Sequence, residues 1–215
     1  AGELTAPDID EPKKIAKAAL ELGLRHVVVT CVTRDDLPDG GASVFADVIR
    51  EVRKTCPGVT VEVLISDFKG DFSALDTVMA EKPDVLNHNI ETVPSLYNDV
   101  RPGAVYTRSL EVLSRAKEYG TSFTKTGIML GLGENDEEFD AVFSDLHRIN
   151  CDILVISQYL QPSSNHYPLK RYVTPEEFEN YKKKALAAGI KYVVSAPLVR
   201  SSYLAAEALE GVKST

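Results

Sequence analysis

The apolar positions of the chain fall into two alternating rhythms. Short, nearly unbroken runs rich in β-branched residues occupy 26–32, 59–65, 85–90, 123–130, 153–159 and 192–195, and between them apolar residues return every three or four positions. The runs are too short for helices and lack polar alternation, so each predicts a strand covered on both faces, while the intervening segments predict helices with one buried stripe. Helices are expected after an Asp10 cap up to Gly23, then over Ser43–Lys54, Phe72–Ala80, Thr107–Tyr119, Asp136–Ile149 and Pro175–Ala188, with a last one over Leu204–Leu209. The first has Pro12 in its opening turn and is expected to bury Ile15, Ala16, Ala19, Leu20 and Leu22. Asn135 with Glu138, and Thr174 with Glu177, read as reciprocal caps.

Strands alternating with helices at this spacing make right-handed βαβ units and a parallel sheet, either doubly wound or curled toward a barrel. Polar and glycine residues follow strand after strand, at Arg34–Gly41, Ser66–Gly70, Asn89–Thr92, Gly131–Asn135 and Gln158–Ser164. A ring of decorated loops suits a barrel, whereas a doubly wound sheet gathers its site at one switch point. The expected fold is therefore α/β, a partial (βα) barrel. Because the chain opens on a helix where such a barrel opens on a strand, its first strand and the loop after it are expected to be missing. No linker or repeat divides the 215 residues, so one domain is expected over 1–215, with 192–215 as a C-terminal extension.

Charge and cysteine content narrow the function. A net charge of -8 and a pI near 5.1 disfavour a nucleic-acid surface. No run of eighteen apolar residues and no leader pattern is present, so no membrane association and a cytoplasmic location are expected, or a mitochondrial or plastid one if a leader has been removed. Cys31, Cys56 and Cys151 are too few and too widely spaced for a disulfide framework or a metal knuckle.

The stretch Thr124–Glu134 joins a strand to a helix through Gly127, Gly131 and Gly133. At the C-terminal end of a parallel strand, glycines let backbone approach a flat ligand such as a purine; they equally suit a turn that needs positive φ, and the stretch alone does not separate these readings. Lys125 inside an apolar strand raises a rival enzyme class, a Schiff-base barrel aldolase. His88, His147 and His166 have no ligand partner at helical or strand spacing and read as hydrogen-bonding or surface residues.

Six runs, in order, resemble the lipoyl synthases, a family of radical S-adenosylmethionine enzymes: Arg34-Asp35-Asp36-Leu37-Pro38-Asp39-Gly40-Gly41-Ala42, Asp67-Phe68-Lys69-Gly70-Asp71, His88-Asn89-Ile90-Glu91-Thr92-Val93, Val100-Arg101-Pro102-Gly103-Ala104, Gln158-Tyr159-Leu160-Gln161-Pro162-Ser163 and Val199-Arg200-Ser201-Ser202-Tyr203. The resemblance implies a barrel of the radical S-adenosylmethionine type. It also implies two four-iron four-sulfur clusters, one generating a 5′-deoxyadenosyl radical that takes hydrogens from C6 and C8 of an octanoyl chain, the other consumed as sulfur donor. The implied partners are an octanoylated lipoyl-carrier domain or protein and an electron donor such as ferredoxin or flavodoxin.

The family holds its clusters on cysteine triplets N-terminal to the matched region, and neither triplet is present here. The chain is therefore expected to be inactive alone, as an excised fragment, one half of a split enzyme, or a non-catalytic nucleotide-binding module. Cys31 stands where the family commonly has serine and reads as a small strand hydrophobe. By resemblance, Gly127, Met129, Gly131 and Glu134 match the adenine-contacting pattern, with methionine in place of isoleucine. Gly40 and Gly41 match the loop that meets the methionyl amino group, although Ala42 replaces the usual glutamate. Asn89 and Glu91 are expected at the ribose, against ordinary capping, and Arg101 at the methionyl carboxylate, against a solvated charge. By resemblance, Arg200 and Ser202 are expected as catalytic residues, Ser202 as an oxygen ligand of the sulfur-donor cluster with Ser201 as second choice, against a serine-capped turn.

Overall fold

The computed structural model describes residues 5–120, 122–202 and 205–214. The chain runs α1 (Glu11–Glu21), β1 (His26–Thr30), α2 (Ala42–Thr55), β2 (Thr60–Leu64), α3 (Phe72–Ala80), β3 (Val85–Asn87), α4 (Tyr97–Val100), α5 (Tyr106–Glu118), β4 (Phe123–Leu130), α6 (Asp136–Arg148), β5 (Ile153–Gln158), α7 (Pro175–Ala187), β6 (Tyr192–Ser195) and α8 (Ala205–Lys213). All six strands are parallel and lie in sequential order β1-β2-β3-β4-β5-β6. A doubly wound sheet would reverse that order at a switch point. The sheet is thus the expected partial barrel, open, with β1 and β6 as its edges among the described residues.

Alternate strand residues point to opposite faces, and the two faces are packed differently. Val61 and Val63 of β2 join the apolar stripes of α1, α2 and α3 in one core, while Ile128, Leu130, Leu154 and Ile156 meet α5, α6 and α7 in a second. The rings of Phe139, Phe143 and Phe178 are fully buried there, each burial stabilising by about 1.5–3 kcal/mol. A third cluster lies on the opposite face, at the strands' starts, where Val85, Ile153, Phe123 and Tyr192 receive Ala208, Leu209 and Val212 of α8. Helix α8 touches both β6 and β1, so it spans the gap between the sheet's edges.

Both reciprocal caps form. Asn135 Oδ1 accepts from Glu138 N and Glu138 from Asn135 N, each at 3.0 Å, and Thr174 and Glu177 make the same exchange at 3.3 and 2.9 Å. The first helix differs from expectation. Asp10 stands at its N-cap without a side-chain capping bond; its own N–H is instead bound by Asp8 Oδ1 at 2.9 Å. Leu20 and Leu22 are 55% and 72% exposed, because the helix reaches the core with Pro12, Ala16 and Ala19, and with Ile15 only partly buried against it. The first and third strands are shorter than their apolar runs. β1 ends at Thr30, where β2 ends opposite it, and β3 ends at Asn87, after which Ile90 is buried without a ladder. Of the expected last helix, Leu204 lies outside the described residues.

Candidate functional site

A cleft of about 590 Å³ opens beyond the C-terminal ends of β1, β2 and β3. Its walls come from Thr30 and Cys31 at the end of β1, Ile65 to Asp67 after β2, His88, Asn89 and Glu91 after β3, and Arg101 with Arg108 around the start of α5. Lys69, Arg101 and Arg108 face Asp35, Asp67 and Glu91, so basic and acidic groups are balanced in number around it. Two of these pairs are fixed: Arg108 Nε lies 2.6 Å from Asp67 Oδ2 and Lys69 Nζ 3.2 Å from Asp35 Oδ2.

Asn89, Glu91 and Arg101, expected at one ligand from sequence, are brought together here. Glu91 leaves the sheet in the left-handed region with φ 66°, a conformation rare for a residue with a Cβ and often stored at functional sites. β4 holds it there: Glu91 N donates to Gly127 O at 2.9 Å, and Met129 N donates to Glu91 O at 2.8 Å. Burial raises the Glu91 carboxyl above its ordinary pKa, and the Arg101 charge and an Asn89 hydrogen bond pull it back in part. Arg101 Nη1 donates to Asn89 O at 3.1 Å and Ile90 O at 3.4 Å, with its guanidinium over the Tyr97 ring at 5.4 Å. It is an anchored cation and not a solvated surface charge.

Gly127 sits directly behind Asn89. A Cβ there would lie 2.9 Å from Asn89 Oδ1, so glycine is what admits the amide. Asn89 Nδ2 donates to Ser201 Oγ at 3.2 Å across 112 residues of sequence, which draws the Arg200-Ser201-Ser202 turn to the cleft. Ser201 is half-buried and Ser202 exposed; Arg200, also exposed, donates from Nη1 to Val199 O at 2.7 Å. Tyr203 of that run lies outside the described residues.

Other expected residues do not line this cleft. Gly131 has no room for a flat ligand at its α-carbon, because an added Cβ would fall on Arg171 O and Gln158 Nε2. The approach that glycine permits is that of the loop after β5, whose Lys170 N donates to Gly131 O at 2.9 Å. Glu134 turns back on the same loop and accepts from Gly131 N at 2.6 Å and Leu132 N at 2.7 Å. Gly40 borders an adjoining pocket of about 270 Å³ that shares Asp35 and Lys69 with the cleft, and Gly41 heads α2. Lys125, the rival Schiff-base lysine, is 1% exposed and bonded to both oxygens of Glu62, which removes it from any substrate and from the aldolase reading.

The sequence reading gave no role to Asp67, Lys69, Arg108 or the buried Glu62. Asp67 and Lys69 belong to the run Asp67-Phe68-Lys69-Gly70-Asp71 that carries the family resemblance, and the signal for Glu62 is a carboxylate inside the apolar strand Val61-Glu62-Val63. His88 is held by Ile65 O and Ser109 Oγ at 3.0 Å each, and burial pushes its pKa down to about 4, which keeps the ring neutral. His166 bonds Ser163 Oγ at 2.9 Å on an exposed loop.

The residues fit a polar small ligand such as S-adenosylmethionine, since Asn89 Oδ1 is buried at the cleft without a hydrogen-bond donor among the described residues. They do not fit an iron–sulfur cluster. Among the described residues no three His, Cys, Asp or Glu side chains are grouped to hold a metal ion.

The sequence profile of the Radical SAM superfamily matches residues 2–146. A lipoyl synthase of Alkaliphilus metalliredigens (strain QYMF) is 53% identical over 210 residues, covering 97% of this chain and 72% of its own length. Another, of Caldanaerobacter subterraneus subsp. tengcongensis, is 57% identical over 197 residues, covering 91% and 69%. Among solved structures, methylornithine synthase (PylB) superposes with a TM-score of 0.67 at 14% identity, over 94% of this chain and 66% of that one. Streptococcus suis SuiB bound to S-adenosylmethionine gives 0.68 at 9%, over 94% and 47%. At those identities the structural likeness concerns the fold alone. Profile and sequence identity together place the chain in the lipoyl synthase family of the Radical SAM superfamily.

Proposed function

We propose that the cleft binds S-adenosylmethionine and that the chain is the ligand-holding barrel of an enzyme inserting two sulfur atoms, at C6 and C8, into a protein-bound octanoyl chain. The observation that carries this is the meeting of Asn89, Glu91 and Arg101 on one charge-balanced cleft, with Ser201 bonded to Asn89. S-adenosylmethionine, once reduced, supplies hydrogen-atom abstraction from unreactive carbon. Arg101, its Nη1 anchored on backbone carbonyls, offers the rest of its planar fork to the methionyl carboxylate. Asn89 and Glu91 supply acceptors for the ribose hydroxyls. Gly127 and Met129 act through the backbone bonds that hold Glu91, and Glu134 shapes the Gly131 loop on the adenine side. The carbonyls of Gly40 and Gly41, beyond Asp35 and Lys69, are proposed for the amino group.

Two four-iron four-sulfur clusters, a Ser202 oxygen on the sulfur-donor cluster with Ser201 as second choice, and Arg200 beside it belong to the same proposal. So do an octanoylated lipoyl carrier, a ferredoxin- or flavodoxin-type donor and a cytoplasmic location. The three cysteines of this chain do not form the triplets such clusters need. The chain by itself is therefore proposed to bind S-adenosylmethionine without turning it over, which also fits the ligand-holding half of a split enzyme.

The test is calorimetric titration with S-adenosylhomocysteine, which needs no cluster. Arg101→Ala should weaken binding by about tenfold to a hundredfold, as for loss of a charge-assisted hydrogen bond. Absence of binding to the unaltered chain, or equal affinity of the variant, would overturn the reading.

A further inference from the structure

Beneath the cleft, on the same inward face of the sheet, lies a buried polar layer whose residues do not line the cleft. Glu62 of β2, Asn87 of β3 and Lys125 of β4 are each 0–1% exposed. Lys125 Nζ donates to the two Glu62 oxygens at 3.0 and 3.2 Å, and Asn87 Nδ2 donates to Glu62 Oε1 at 2.9 Å. His26, at the start of β1, brings Nε2 to 3.5 Å from Glu62 Oε2.

Stability does not account for this layer. A buried ion pair loses the solvation of both charges, and well-packed apolar residues of similar volume commonly serve as well or better. What an ion pair with a directed amide adds is geometry, because the bonds from Lys125 Nζ and Asn87 Nδ2 to Glu62 are made in one arrangement of the three strands only, Asn87 Oδ1 being without a donor among the described residues. That geometry is needed directly above. Side chains repeat every second residue on a strand face, so Lys125 lies one layer below Gly127 and Asn87 one layer below Asn89.

β3 is three residues long, and Asn87 is its last laddered residue, paired in register with Lys125. Past it the chain is held to β4 by isolated bonds: His88 N to Lys125 O at 3.0 Å, Ile90 N to Thr126 Oγ1 at 3.1 Å and Glu91 N to Gly127 O at 2.9 Å. With the amide of Asn89 packed against the bare α-carbon of Gly127, a small slip of β3 would expel it from that place.

We propose that Glu62, Asn87 and Lys125 are positioning residues, whose network fixes the end of β3 against β4 and thereby places Asn89 and Glu91 for the ligand. Its ligand-binding consequence rests on the cleft being the S-adenosylmethionine site. The triple variant Glu62→Leu/Asn87→Leu/Lys125→Met removes the layer without leaving an unpaired charge. Asn87→Leu alone cuts only the tether of β3 and leaves the ion pair whole.

Both full-length variants should keep their thermal midpoint at or above that of the parent. Amide hydrogen exchange at Ile90 and Glu91 should accelerate by about tenfold, equivalent to about 1.4 kcal/mol, with α6 unchanged. S-adenosylhomocysteine should bind about tenfold more weakly, again about 1.4 kcal/mol. Parental exchange rates at Ile90 and Glu91 in Asn87→Leu would overturn the proposal, whether or not the triple variant folds. If the parent does not bind S-adenosylhomocysteine, the ligand reading fails alone, and the exchange rates still decide the positioning role.

Discussion

At the scale of single residues, burial decides which groups titrate. His88 is enclosed between Ile65 O and Ser109 Oγ, and its pKa is pushed down to about 4 by that burial. The unfolded chain therefore takes up a proton near pH 6.5 that the native ring refuses until about pH 4. Stability is unaffected above pH 6.5, falls as the pH drops through this window, and has lost about 3 kcal/mol from this group at its lower end. Replacing His88 with Asn should flatten the acid limb of a plot of thermal midpoint against pH between 4 and 6.5. Glu91, whose raised pKa acts in the opposite sense, is common to both proteins and cancels in the comparison. Parallel acid limbs for parent and variant would mean that His88 is protonated in the fold. The same scale exposes a limit of sequence reading. Gly127 and Gly131 look alike in the chain, yet one admits a side chain of the cleft and the other a distant loop, a difference set by what lies opposite each.

Elements were legible where one local cause governs them. The strands Phe123–Leu130 and Tyr192–Ser195 and the helix Phe72–Ala80 lie where their apolar runs put them, and both reciprocal caps formed. The exceptions depend on long-range partners. Leu20 and Leu22 continue the apolar stripe of α1, but the surface that α1 meets is taken up by Pro12, Ile15, Ala16 and Ala19. Glu62 and Lys125, sixty-three residues apart, give no local hint that they pair. Helix α8 is also a tertiary matter, since its partners are the first residues of four strands. Leu209→Ala should therefore cost about 2–5 kcal/mol, the range for a buried leucine whose cavity closes only in part. Chemical denaturation measures this, and a loss below about 0.5 kcal/mol, the level of a surface substitution, would show that α8 does not dock between the sheet's edges.

For the whole molecule, the fold and the chemistry assigned to its family pull apart at the cysteines. Cluster assembly needs thiolates that converge, and deprotonation is part of the cost of binding iron. Cys151 is buried, donates to Thr124 O at 3.8 Å, and is pushed up to about 12 by that burial. Cys56 is buried at the end of α2 and donates to Ala16 O at 3.7 Å. Cys31 is exposed at the cleft, where burial of its sulfur still raises its pKa against the pull of Arg34. No two of these three share an element, and a cubane ligated by this chain would need at least two core thiols to leave their packing. Anaerobic incubation of the purified chain with iron and sulfide should thus leave it essentially colourless, with well under one cluster per chain, while S-adenosylhomocysteine still binds. Stoichiometric charge-transfer absorbance that disappears on replacing Cys31 or Cys151 with Ala would instead mean that the barrel carries its own cluster site, and the division of labour proposed above would fall with it.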